Sequence, residues 1–124
     1  MPGEDDIFPG MAEKGARTSL GPIDTSTADG VLTVLVHKEF DSGNIHQDWA
    51  QSVQVMHPGP FARIVVDCSQ CGLLSSTFFA GIMQLQQHFG AQGCPPLVLH
   101  QPDPRIVKNL QILRLHTFFT IIPR

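Results

Sequence analysis

The sequence predicts an α/β domain, a mixed and mostly parallel sheet of about five strands with alternating helices packed against it. Three observations carry this. Short apolar, β-branched runs recur, each bounded by Gly, Pro, Asp or Ser. Between them the apolar period switches from two to about 3.6. Beyond an opening hairpin, strands alternate with helix-length segments, the connection that parallel neighbours require.

Residues 1–19 carry Gly, Pro and acidic side chains without an apolar period and read as a flexible leader to a domain over 20–124. Leu20 to Thr27 reads as a short strand. Ala28-Asp29-Gly30 is a turn, because Asp-Gly tolerates positive φ between two strands. Val31 to Val36 is a second strand. A helix then follows Asp41-Ser42-Gly43, with Asn44 as cap, Gln47 three residues on and a stripe of Ile45, Trp49, Val53 and Met56. It stops before Pro58-Gly59-Pro60. The stripe places Trp49 in the core rather than on a partner.

Ile64-Val65-Val66-Asp67 is nearly all apolar, as a central strand or one covered on both faces is. The second helix opens near Ser76; Phe78, Ile82, Leu85 and Phe89 line its inner face, Phe79 and Met83 lie beside them, and Gln84, Gln87 and His88 face away. Gly90 to Gly93 ends it. Pro96-Leu97-Val98-Leu99 is another buried strand. Asp103 caps a third helix with Pro104 at its first position, where a missing N–H is harmless. Ile106, Val107, Leu110 and Leu113 form its inner stripe. Phe118 to Ile122 closes the domain as a strand or short helix.

Composition narrows the function. The 124 residues amount to one domain, with 42% hydrophobic residues, 15% charged and a formal net charge of −3. Lys and Arg are scattered, which argues against nucleic acid, since neutralising phosphates needs a basic patch. No apolar run approaches the roughly 20 residues that span a bilayer, and the acidic start does not resemble a signal peptide. Three Cys, an odd number, fit a reducing compartment better than a disulfide framework. A cytoplasmic domain without membrane insertion is the expectation.

In order and spacing, several stretches resemble the STAS domain, the family that includes anti-sigma-factor antagonists. They are Ile64-Val65-Val66-Asp67, Leu73-Leu74-Ser75-Ser76-Thr77, Leu97-Val98-Leu99, Pro104 to Leu110 and Phe119-Thr120-Ile121-Ile122. Lys38-Glu39-Phe40-Asp41 is similar to the family's G-E-L-D. The likeness covers roughly residues 20 to 122 and implies the same layered fold. It also implies a regulatory module that docks an anti-sigma factor with Ser-kinase activity through Glu39, Asp41, Ser75, Ser76 and Thr77. In the family the first Ser of D-S-S-G is phosphorylated, which breaks the complex; the matching position is Ser76. Ser75 stands where the family has Asp, and Phe78 where it has Gly, a bulk expected to alter how closely a partner approaches. The resemblance also leaves room for an unphosphorylated subunit of a stress-signalling or lipid-transport assembly.

The chemistry of the hydroxyl run suits either role. Ser and Thr at a helix start accept from unpaired N–H groups, worth about 1 kcal/mol. The same free donors and partial positive charge tolerate a phosphate, which would add about −1.5 to −2 of charge to an exposed surface.

Other constellations are weaker. Cys68-Ser69-Gln70-Cys71 is a C-x-x-C after a strand, but Gly72-Leu73-Leu74 follows it as a loop, whereas a thioredoxin-type pair opens a helix. A small thiol redox or zinc protein built on Cys68 and Cys71 is the remote alternative; zinc would have to recruit Cys94 and His88 to reach four ligands. His37, His46, His57, His88, His100 and His116 are dispersed, and most of them read as surface or strand-end residues. The sequence contains no G-x-S-x-G, P-loop or G-x-G-x-x-G motif. No cofactor, metal or catalytic residue is expected.

Overall fold

A computed structural model describes residues 17–37 and 48–124, with side chains from residue 21 onward. The strands are β1 (Arg17–Leu20), β2 (Ile23–Ala28), β3 (Val31–Val36), β4 (Arg63–Asp67), β5 (Val98–His100) and β6 (Thr120–Ile122). The helices are α1 (Trp49–Met56), α2 (Ser76–Gly90) and α3 (Pro104–Ile112), followed by a 3₁₀ turn at His116–Phe118. The strands lie side by side in chain order in one six-stranded sheet. β1–β2 and β2–β3 pair antiparallel, and β3 to β6 pair parallel. The expected class is therefore observed.

The extra strand comes from the segment read as leader. Gly21 takes φ +69 and reverses the chain, so that Leu20 faces Ile23 and Arg17 faces Ser26. Residues 17–19 thus belong to the sheet, and the run expected as one strand from Leu20 to Thr27 is a hairpin. Pairing satisfies the backbone of this polar stretch, a force that hydrophobic periodicity does not register. The turn at Asp29 (φ +54) and Gly30 (φ +78) has both central residues in the left-handed region, as a type I′ hairpin requires.

Burial alternates along the strands. Ile23, Thr25, Leu32, Val34, Val36, Ile64 and Val66 are buried, while Val31, Thr33, Leu35 and Val65 between them are only half-covered. β4 is central in the sheet but is fully covered on one face only. Onto that face pack Trp49, Ala50 and Val53 of α1, Phe78, Ile82, Leu85 and Phe89 of α2, and Ile106 and Leu110 of α3. Gln84, Gln87 and His88 point outward as their phase on α2 required. Asn44, Ile45 and Gln47 lie outside the described residues.

Two expectations about burial are corrected. Leu113 is 66% exposed. α3 ends one residue earlier, and the chain turns through Arg114 at φ +59. Leu115 N–H donates to Leu110 O (2.8 Å) and Arg114 N–H to Gln111 O (3.1 Å), the paired bonds of a Schellman stop. Leu115 takes the core contact in place of Leu113. His57, expected at the surface, is instead buried at the end of α1, where its Nε2 lies 2.9 Å from Oγ1 of fully buried Thr25. Desolvation holds the imidazole below its ordinary pKa.

The tightest junction is between α1 and α2. Trp49 stacks on Phe78 with ring centroids 4.8 Å apart and planes 8° from parallel. Its indole edge lies directly over Gly81, where a Cβ would collide with Nε1 and Cε2.

Two outcomes are expected. Gly81→Ala destabilises the fold by about 2 kcal/mol in urea titration, because overpacking outweighs the roughly 1 kcal/mol of helix propensity gained. Gly90→Ala, with open space at its Cβ, shifts stability by less than about 1 kcal/mol, in the stabilising direction. For His57 the depressed folded-state pKa means that the unfolded chain binds the proton more readily. Its contribution is complete above the ordinary value of 6.5 and is lost as the pH falls through the lower folded-state value. Unfolding free energies from urea titrations at pH 7.5 and lower therefore fall below about pH 6.5, by at most about 1.4 kcal/mol per pH unit from this group, and His57→Gln removes that part of the slope.

Candidate functional site at the carboxyl ends of the parallel strands

The loops that leave the carboxyl ends of β4 and β5, together with Arg124 beyond β6, meet at one end of the sheet. In parallel α/β architectures this is the edge where helix N-termini converge and ligands are usually met. Asp67 closes β4: its Oδ1 accepts from Ser69 N–H (3.0 Å) and from Ser69 Oγ–H (2.6 Å), turning the chain out of the sheet. Cys68 N–H donates to His100 O at 2.9 Å, and Cys71 N–H to Cys68 O at 3.3 Å.

The hydroxyl run follows this turn, and its three members divide the work. Ser75 is the N-cap of α2, in an extended conformation (φ −79, ψ 161), and its Oγ accepts from Phe78 N–H at 3.2 Å. Ser stands here where Asp would stand in the family compared above; both are preferred caps, so the helix start survives the difference. Ser76 is the first residue of the helix and is exposed, whereas Ser75 and Thr77 are half-buried. The expected phosphoacceptor is thus the open hydroxyl, leaving the capping bond to its neighbour. Phe78 corrects an expectation. It is fully buried against Trp49, so its bulk fills the core and does not stand between a partner and the loop. Glu39 and Asp41, the other expected contacts, lie outside the described residues.

The sequence reading of Asp103 as a cap is observed, but sequence reasoning missed two charged contacts at this end, the pairing of Asp103 with Arg105 and the reach of Arg124. Asp103 caps α3 by accepting from Arg105 N–H (2.9 Å), and it also takes both arms of the Arg105 guanidinium, at 3.0 Å from Nε and 2.8 Å from Nη2. Those hydrogen bonds hold its carboxyl well below the usual carboxylate range. The i, i+2 spacing Asp103-Pro104-Arg105 was a readable signal for this pair. Arg124 carried no such signal. Its Nη2 donates to the carbonyls of Cys71 (2.6 Å) and Cys68 (3.1 Å), and its Nε to that of Gln101 (2.9 Å). One guanidinium thereby ties together loops 56 and 23 residues away in sequence.

Cys68 and Cys71 are both buried, Cys94 is half-covered, and all three are free thiols. Cys94 and His88 do not complete a zinc site with the pair: among the described residues, no three His, Cys, Asp or Glu side chains come together as metal ligands. Nor is any described helix long and apolar enough to cross a membrane.

No family model and no curated protein matches this sequence. Among solved structures the chain is similar to one described as the NMR structure of the protein TM1081. The TM-score is 0.66 at 16% identity, covering 80% of this chain and 78% of that one. The likeness extends over most of both chains and concerns the fold.

The division of labour within the hydroxyl run makes a direct forecast. Ser75→Ala costs about 1 kcal/mol in denaturant unfolding because a helix cap is lost. Ser76→Ala stays within about 0.5 kcal/mol of the unsubstituted chain, as expected for an exposed side chain. Equal losses at both positions would contradict the assignment of the cap.

Proposed function

We propose that this chain is a regulatory protein-binding module of the STAS type, without catalytic activity of its own, and that it docks an anti-sigma factor with Ser-kinase activity through the start of α2. The observation that carries the reading is the exposed Ser76 hydroxyl on the first residue of a 15-residue helix whose inner face is locked into the core. A partner there meets a rigid edge, and rigidity lowers the ordering cost of association. Ser75, Ser76 and Thr77 form the centre of the proposed contact, and Glu39 and Asp41 are assigned to its rim on the resemblance.

The switch is electrostatic. Because Ser75 supplies the cap, phosphorylation of Ser76 leaves the helix start intact. The added phosphate faces the partial positive charge and free N–H donors of the first turn, so the domain keeps its fold while the surface changes sign. A partner packed on that surface then meets repulsion and an added desolvation cost. Loss of affinity without loss of structure is the behaviour a reversible antagonist needs.

The test begins with an anti-sigma Ser kinase encoded beside this chain's gene. Incubation with ATP and Mg²⁺, followed by mass spectrometry of the 75–77 segment, is expected to place phosphate on Ser76. Calorimetry should show binding by the unmodified chain and at least tenfold weaker binding by the phosphorylated one, a change of about 1.4 kcal/mol. Failure of both forms to bind would remove the reading, whereas binding without phosphorylation would reduce it to constitutive docking.

A further inference from the structure

The C-x-x-C turn lies four residues upstream of the proposed docking site and has no part in it. Its two thiols are buried, Cys68 at 0% and Cys71 at 2% exposure, and they lie three residues apart on a turn closed by Cys71 N–H donating to Cys68 O at 3.3 Å. Cys71 Sγ also reaches Cys68 O at 3.4 Å, and Cys68 Sγ lies 3.8 Å from Val66 O. The Arg124 guanidinium sits on the same turn, donating to the carbonyl of each cysteine. Simple core packing would explain two buried small apolar side chains. It does not explain two thiols on one hydrogen-bonded turn with a cation bound to the carbonyls of both.

We infer that Cys68 and Cys71 form a redox-active dithiol that hydrogen peroxide converts to a disulfide within the loop, with Cys71 as the attacking sulfur. The assignment of roles follows from the surroundings. The neighbouring Cys68 thiol holds Cys71 below its ordinary range, with Arg124 helping and burial opposing. The Cys71 side chain, then burial, pushes Cys68 up. Cys94 has no thiol partner of this kind, and burial pushes it up as well. The burial of the pair selects the oxidant: hydrogen peroxide is close to water in size, and brief opening of an irregular loop admits it where a bulky disulfide is kept out.

In the first step the Cys71 thiolate attacks one peroxide oxygen and the O–O bond breaks. The departing hydroxide takes up the proton that Cys71 had released, giving one water and a sulfenic acid on Cys71. The Cys68 sulfur then attacks the Cys71 sulfur. The S–S bond forms, the S–O bond breaks, and the hydroxyl leaves with the Cys68 proton as a second water. The dithiol is oxidised by two electrons and the peroxide is reduced to two waters.

The experiment uses the whole folded chain without any docking partner, so its outcome is separate from that of the docking reading. The chain is treated with hydrogen peroxide at neutral pH, quenched with an alkylating agent and read by peptide mass spectrometry. The 68–71 peptide should lose two hydrogens and escape alkylation, while Cys94 stays alkylated. In Cys68→Ser, a sulfenic acid should accumulate on Cys71 and be captured by dimedone; in Cys71→Ser, no adduct should form on Cys68. Arg124→Gln should slow the first step by about three- to tenfold. Circular dichroism confirms that each variant is folded before it is read, and the unsubstituted chain supplies the primary result in any case. Native protein that keeps both loop thiols alkylatable, or that oxidises at Cys94 first, overturns the inference.

Discussion

The contact on which the helical layer depends is the seat of Trp49 between Gly81 and Phe78. A sheet covered on one face needs its helices close to it and to each other, and α1 is only eight residues long. A helix that short is marginal by itself, so packing must supply its stability. Trp49 does this by laying its ring flat on Phe78 and its edge against the backbone of α2, an approach open only because residue 81 has no Cβ. The arrangement has a cost. Indole Nε1 is buried without a hydrogen-bond partner among the described residues, a desolvation penalty of about 1–3 kcal/mol that aromatic burial has to exceed.

That junction also fixes the candidate site. α2 begins at the site and ends far from it, so any tilt of the helix would move Ser76 relative to the end of β4. Phe78, two residues into the helix, is held by Trp49, and Ser75 caps the same turn. The first turn is therefore pinned from inside by stacking and from the end by a hydrogen bond. An exposed hydroxyl on a turn held in this way is presented in one orientation. The residue whose bulk was expected to alter a partner's approach is the one that steadies the surface.

The opposite device operates on the loop before α2. Residues 68–75 have no regular secondary structure, and a donor from outside helps to hold their carbonyls. Arg124 is that donor, bonding two of them and the carbonyl of Gln101 as well. Because its positive charge comes from another part of the chain, the electrostatic setting of Cys71 depends on how β6 is docked. The thiol pair and the hydroxyl run thus share a loop but answer to different chemistry, one to charge and oxidant and the other to phosphate and partner.

The sequence by itself determined the strands of 31–36, 64–67 and 97–99, the inner stripe of α2 and the Asp103 cap with Pro104 behind it, because each is a local matter of period or of backbone donors. It also marked Ser75–Thr77 as a helix start. Only tertiary structure decided that Arg17 to Leu20 adds a strand, that Leu115 replaces Leu113 in the core, and that His57 is buried against Thr25. It likewise decided that Phe78 stacks on Trp49 and that Arg124 closes the loop holding Cys68 and Cys71. The physical reason is common to all five: each depends on a partner distant in sequence or on a left-handed turn at Gly21 or Arg114, and neither leaves a trace in hydrophobic periodicity.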